Sequence, residues 1–232
     1  HVQSETSYFM LIQDLCRTIP GFFFTLFMGA YSDHKGRKIP MITGVIGLII
    51  NMASHLIVVL FYFPKWVLFL GALGEGCLGS IEAVLLGCFS FLSDITTKEN
   101  RAFRLTIAEL CMFGPIIVSN LITGFLIKNI GFLWCFIIVI CGAVLNTLYI
   151  IFAVPETIKK DPQAKLLDLH HAKRTISLFT KDNGTKRKPR LVLLLVGIFF
   201  PMVSLLGGLG LQVLYVSDKP LCWDSVLIGL HS

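Results

Sequence analysis

The pattern of hydrophobic and polar positions divides the chain into long apolar runs that are separated by charged connections. A helix that crosses a bilayer needs about 20 mostly apolar residues. Runs of that length occur at 8–31, 39–62, 66–92, 103–127, 132–154 and 191–216. They are continuous rather than alternating, as membrane helices are and membrane strands are not. The pattern therefore predicts an all-α integral membrane protein with six spans.

Composition agrees with this class and limits the kinds of binding partner that we expect. Of the 232 residues, 55% are hydrophobic and 15% are charged, whereas soluble domains carry about 25% charged residues. The net charge of +6 does not indicate nucleic-acid binding, because the basic residues form short clusters between apolar runs. No Cys or His spacing is typical of a metal site, and no catalytic triad or phosphate loop is present. We therefore expect a lipid bilayer as partner, no metal and no enzyme activity.

The basic residues also predict the topology. Connections on one side of the membrane hold sixteen Lys and Arg residues and those on the other side hold three, so the first side is cytoplasmic. Residues 155–190 then form a long cytoplasmic linker, and the sequon at Asn183 is expected to stay unmodified. The predicted organisation is an N-terminal part at 1–154, the linker at 155–190 and the start of a second part at 191–232.

The connection after the first run carries a motif, Gly29-x-x-x-Asp33-x-x-Gly36-Arg37-Lys38. The glycines permit a tight turn and close backbone approach. Asp33 lies at a helix C-terminus, where a negative charge is disfavoured, so it needs a donor such as Arg37. The alternative is a plain basic loop that only sets topology. The complete spacing resembles the signature of the major facilitator superfamily, and we interpret the motif as a gating loop.

This resemblance implies the fold and the numbering of the spans. In that superfamily the motif lies between helices 2 and 3 on the cytoplasmic side, so six of twelve transmembrane helices, numbers 2 to 7, would be present. The linker would then join the two six-helix halves. We expect both ends of the chain to be truncations.

Two further segments resemble the proton-coupled folate transporter family more closely. Residues 220–229 are similar to its stretch between helices 7 and 8, and residues 101–109 are similar to its entry into helix 5. The resemblance implies secondary active symport of a small organic anion, such as a folate, a cyclic dinucleotide or a muropeptide. The proton would be the coupling ion, without a further cofactor. The plasma membrane is the favoured location, and the endolysosomal membrane is the alternative.

Glu109 matches the acidic position that the resemblance associates with proton coupling. Removal of water penalises a charged carboxylate, so this group is a candidate to load and release a proton. The alternative is a carboxylate near the interface that pairs with Arg104 or Arg101. Other roles for the chain as a whole also stay open: a facilitator or antiporter of the same fold, or a transporter-like receptor or scaffold.

Four other ionisable residues fall inside predicted spans, where charges are costly and often functional. Asp14 and Arg17 are three residues apart, so they can pair on one helix face. Arg17 is also a candidate partner for an anionic substrate, because a guanidinium suits a carboxylate. Glu75 and Glu82 are seven residues apart, which predicts one helix face and a position facing the central cavity.

The last predicted span is interrupted by Pro201, Gly207, Gly208 and Gly210, which in transporters points to a binding site. Ser204 and Gln212 in this span are therefore candidate substrate contacts, although a bend for packing is equally compatible. Cys222 stands alone in a polar external loop. It is a disulfide candidate whose partner would lie outside this chain, and a free thiol is the alternative.

Overall fold

The computed structural model describes residues 2–158, Pro189 and residues 193–197, 199–201 and 203. These residues include the helices α1 Val2–Lys35, α2 Lys38–Phe61, α3 Val67–Cys77, α4 Ser80–Asp94 and α5 Arg101–Phe152. The described residues contain helices and no strand, which confirms the predicted all-α class. Most of the sixth predicted span and of the linker falls outside the described residues.

The chain divides into two compact units. The first comprises residues 1–113 and 130–168, and therefore holds α1 to α4 and both ends of α5. The second comprises residues 114–129 and 169–232; its described part is helical.

Three helical stretches of the described residues are long and apolar enough to cross a membrane, judged by length and composition. They are Lys38–Phe61, Val67–Asp94 and Ile122–Phe152. α1 is 34 residues long but does not belong to this group, since Asp14, Arg17 and other polar residues interrupt its apolar run. These stretches agree with the predicted class of multi-pass integral membrane protein.

The third predicted span is broken in its middle, so the expectation of one continuous helix at 66–92 was wrong. α3 ends at Cys77 and α4 begins at Ser80. Between them Gly79 has a φ of 90°, and Ser80 follows with a φ of 48°. Glycine adopts such angles freely, whereas a serine does so only where tertiary packing holds it.

α5 covers the fourth and fifth predicted spans and changes direction between them. Gly131 has φ 80° and ψ 168° inside the helix, which interrupts the helical backbone. The sequence analysis predicts a connection at 128–131, and the structure confirms this position.

The core of the first unit forms where α2, α4 and the end of α5 meet. Met41, Val45 and Ile150 are buried there, with partly buried apolar residues around them, namely Ile42, Ile49, Val84, Phe91 and Ala143. Glycines bring the helices close together: a Cβ on Gly44 of α2 would lie 2.5 Å from the Ser80 carbonyl oxygen. Helix association in lipid lacks a hydrophobic driving force, so it depends on the close packing that small residues permit.

Gly76 is a point of close contact between α3 and α1. A Cβ at this position would meet the backbone carbonyl of Arg17, and backbone yields less easily than a side chain. Gly76→Ala should therefore destabilise the full-length protein by about 1–3 kcal/mol. The thermal unfolding temperature of the purified protein in detergent measures this loss.

Gly142→Ala is the matched control, because a Cβ there meets no atom within 4 Å. It should leave the unfolding temperature unchanged or raise it slightly, since alanine is the better helix former. Equal unfolding temperatures for the two variants would contradict the close α1–α3 approach.

Candidate functional site

The loop between α1 and α2 folds around the side chain of Arg37. This side chain is 12% exposed, and its Nε donates to Asp94 Oδ2 at 2.8 Å. Its Nη1 donates to Ser32 Oγ at 3.2 Å and also pairs with Asp33. The predicted Asp33–Arg37 partnership is thus formed, and Asp94 at the end of α4 completes it.

The ionisation of Arg37 is stabilised by these carboxylates. Burial, the largest single influence, lowers the pKa of Arg37, but the hydrogen bonds and charges of Asp94 and Asp33 together raise it above its usual value. Arg37 therefore remains cationic at every physiological pH, and the loop is a permanent charge cluster.

A second carboxylate covers the start of α2. Glu156 Oε1 accepts the backbone N–H of Arg37 at 2.8 Å, and Glu156 Oε2 lies 3.5 Å from the backbone N of Lys38. A negative charge is favourable at a helix N-terminus. Gly36 has a φ of 131°, and a Cβ there would collide with the Glu156 carboxylate. Lys38 Nζ donates to the Ile151 carbonyl at 3.0 Å, so Lys38 also connects the loop to the end of α5.

Asp94 and Glu156 are residues that the sequence analysis missed. Each lies two residues beyond the end of a predicted apolar run, on the same side of the membrane as the motif. That shared position was the available signal. The first residue of the motif, Gly29, packs against Leu86 of α4.

The predicted pair of α1 is confirmed: Arg17 Nη2 lies 3.1 Å from Asp14 Oδ1. The side chains are 40% and 66% exposed, respectively. The guanidinium thus has room for a further anionic partner. A role of Arg17 in substrate binding stays a prediction.

Glu75 and Glu82 are separated by the break between α3 and α4. The prediction of a common helix face was therefore wrong. Glu75 is fully buried at 0% exposure, where Asn51 of α2 and Ser80 of α4 donate to its two carboxylate oxygens. Glu82 is exposed and lines a cavity, so only Glu82 has the environment that the cavity prediction describes.

This cavity lies between α1 and α4 and has a volume of about 280 Å³. Its lining is mostly apolar and consists of Thr18, Phe22, Thr25, Leu26 and Glu82. The Thr25 hydroxyl is buried and has no hydrogen-bond partner among the described residues. An apolar cavity with a few polar groups has the character of a small-molecule site.

Glu109 lies in the third turn of α5 and is exposed in this part of the protein. Among the described residues it forms no ion pair with Arg101 or Arg104; Arg101 donates instead to the Ser93 carbonyl at 3.1 Å. Large apolar side chains flank it, with Leu110 at 67% and Ile107 at 43% exposure. The carboxylate thus stands on a surface that lipid or the rest of the protein must cover.

Three predicted positions, Ser204, Gln212 and Cys222, lie outside the described residues. Within the part of the chain that the structure describes, no group of three His, Cys, Asp or Glu side chains is arranged to hold a metal ion.

Comparison with known families identifies the class of protein that has this fold and this loop. The chain belongs to the Major Facilitator Superfamily, whose sequence pattern matches residues 8–229. This confirms the assignment based on the Gly29–Lys38 motif.

Several curated relatives are named as proton-coupled transporters. The lysosomal proton-coupled steroid conjugate and bile acid symporter SLC46A3 of Bos taurus is 31% identical over 100% of this chain and 51% of its own length. Its Gallus gallus counterpart is 30% identical over 98% of this chain and 51% of its own length. The proton-coupled folate transporter of Bos taurus is 27% identical over 100% of this chain and 50% of its own length. These matches confirm the resemblance to the proton-coupled folate transporter family. The chain spans about half the length of these relatives.

Proposed function

We propose that the protein is a proton-coupled symporter that carries a small organic anion into the cytosol by alternating access. One observation carries this proposal: the relatives that align over the whole chain are named as proton-coupled symporters or transporters. Their named substrates, folate and steroid conjugates or bile acids, are organic anions. The proton is the proposed coupling ion, and no other cofactor is part of the proposal.

The geometry of the first unit is compatible with this function. The cavity between α1 and α4 is mostly apolar, as a site for an amphipathic anion would be. Directly before Thr18 on α1, Arg17 of the Arg17–Asp14 pair offers a guanidinium that is 40% exposed. An anionic substrate that binds Arg17 would compete with Asp14, which ties binding to a local rearrangement.

Uptake by the full-length protein tests the function. We expect accumulation of labelled folate, bile acid conjugate or cyclic dinucleotide to increase when the external side is acidified. Collapse of the pH gradient by a protonophore should abolish the accumulation. Uptake of each compound that is indifferent to the gradient would support a facilitator instead, and stimulation by an outward proton gradient would support an antiporter.

The same reasoning allows two membranes in which the proposed transporter could work. Proton-driven entry into the cytosol requires an acidic opposite side, which the cell exterior and the lysosomal lumen both provide. The plasma membrane is our proposal from the sequence, and the lysosomal relatives make the endolysosomal membrane the alternative. Localisation of the tagged full-length protein decides between them.

Arg17→Ala should weaken substrate binding if the guanidinium contacts the anion. Hydrogen bonds to charged groups contribute about 1.5–3 kcal/mol, so we expect KM to rise roughly tenfold to a hundredfold while expression stays normal. Initial-rate uptake against substrate concentration measures the change.

Asp14→Asn is the matched control, because it removes the internal ion pair and keeps the guanidinium. It should leave KM unchanged or lower it, since the substrate no longer competes with a carboxylate. Equal losses in the two variants would show that the pair is structural and that Arg17 does not bind substrate.

A further inference from the structure

Glu75 is a fully buried carboxyl group that the proposed function does not use. It is 0% exposed, and its two hydrogen-bonding partners, Asn51 and Ser80, are 5% and 1% exposed. Asn51 Nδ2 lies 2.5 Å from Glu75 Oε2, and Ser80 Oγ lies 2.5 Å from Glu75 Oε1. Both donors are neutral, so the site supplies hydrogen bonds but no compensating charge.

Three ionisable side chains on the helices packed against α3, Arg17, His55 and Glu82, have other surroundings than Glu75. On α1, Arg17 pairs with Asp14. On α2, the His55 ring bonds to the Asn51 carbonyl through Nδ1 at 2.9 Å and approaches Gln13 through Nε2. On α4, Glu82 lines the cavity. Among the described residues, none of these groups forms an ion pair with Glu75.

A charged carboxylate in such a site is costly, because burial removes its water and no cation replaces that stabilisation. A neutral carboxyl avoids this cost. It also carries an O–H donor, and an acceptor for that donor is present: Asn51 Oδ1 is buried and has no hydrogen-bond partner in the described structure. Rotation of the Asn51 amide by half a turn would present this oxygen to a protonated Glu75.

We propose that Glu75 is a proton-binding site of this protein, separate from Glu109, that exchanges its proton with water during the transport cycle. The inference rests on the proposed proton-coupled function. In the deprotonated state Asn51 and Ser80 donate to the carboxylate, and in the protonated state Glu75 donates to Asn51 Oδ1. The site therefore changes its hydrogen bonds without a net change in packing.

The position of Glu75 gives this exchange a structural consequence. Ser80 is the first residue of α4 and follows Gly79, and both have positive φ angles. The hydroxyl of Ser80 connects the break to the carboxylate of α3. Loading a proton on Glu75 removes the negative charge of the acceptor, and it thus weakens the hydrogen bond from Ser80 that spans the two halves of one membrane-crossing segment.

Infrared difference spectroscopy of the purified full-length protein tests the proposal directly. A pH change should produce a C=O stretching band of a protonated carboxyl in an apolar, hydrogen-bonded environment. Glu75→Gln should abolish this band. Glu109→Gln should retain it, and so should Glu99→Gln, which makes the same change in an exposed loop. An unchanged band in Glu75→Gln, or a Glu75 band that is constant over the whole pH range, would overturn the proposal.

A second variant leaves Glu75 in place, so it tests the assignment even if Glu75→Gln fails to fold. Ser80→Gly removes the hydroxyl donor, and glycine adopts the positive φ of this position without strain. The carboxyl band should then shift in frequency, because one of its two partners is gone. An unshifted band would overturn the assignment to Glu75. So would loss of the band on adding sodium at constant pH, which would assign the site to a metal cation.

These readouts do not depend on transport. If the band titrates but uptake by the unmodified protein ignores the pH gradient, proton binding at Glu75 stands and the proposed proton-coupled transport fails. If uptake follows the gradient but no Glu75 band titrates, the proposed function stands and the inference about Glu75 fails.

Discussion

Replacement of Glu109 by Gln should abolish proton-driven accumulation of substrate while exchange of labelled for unlabelled substrate continues. Glutamine has the shape of a protonated glutamate but cannot release a proton. Each pH unit of gradient provides about 1.4 kcal/mol per proton, about a tenfold accumulation. With a gradient of one unit, we expect the accumulated concentration to fall about tenfold, to the level set by substrate alone.

Glu99→Gln is the control for this prediction, because it makes the same chemical change in the exposed connection between α4 and α5. It should accumulate substrate as the unmodified protein does. Full gradient-driven accumulation in the Glu109→Gln variant would remove Glu109 from proton coupling. Loss of exchange together with accumulation would indicate a structural role of Glu109 in α5.

Arg37→Ala should reduce both transport rate and stability, because it removes the cation at the centre of the loop cluster. The guanidinium is largely buried and joins Ser32, Asp33 and Asp94. Breaking such charged hydrogen bonds costs about 1.5–3 kcal/mol, although the more exposed Asp33 contributes little of this. We expect a loss of uptake rate of roughly tenfold to a hundredfold and a lower unfolding temperature.

The pH dependence separates this defect from that of Glu109. The carboxylates raise the pKa of Arg37, so the residue does not titrate in the physiological range and the loss should be the same at acidic and neutral pH. Arg37→Lys should restore only part of the rate. Its ammonium ion keeps the positive charge but lacks the planar fork that meets several partners. Lys98→Ala, in an exposed loop, should have no effect. A pH-dependent loss in Arg37→Ala would contradict this interpretation.

The sequence was sufficient for the helical class and for the motif at the α1–α2 connection. Hydropathy located α2 and the turn at Gly131, because lipid requires long apolar helices whatever their packing. It did not locate the break at Gly79, since a stretch with many glycines leaves several places where a helix can stop. The positive φ of Ser80 is imposed by tertiary contacts that no local pattern records.

The candidate site likewise combines features that the sequence predicts with features that depend on tertiary contacts. The Asp14–Arg17 pair follows from helical spacing alone, so the sequence predicted it correctly. The surroundings of Glu75 depend on how α2 crosses α3 and on which face of α2 presents Asn51. Asp94 and Glu156 reach the motif only through tertiary structure, so the sequence could place them on the correct side of the membrane but not in contact with Arg37.

The contact between Glu156 and the start of α2 also sets an order for biosynthesis. The two partners are 119 residues apart along the chain. At about 5–20 residues per second, the ribosome needs roughly 6 to 24 s between making the first partner and the second. During that interval the first amide groups of α2 lack their carboxylate, so the contacts of this loop are complete only after the end of α5 has been made.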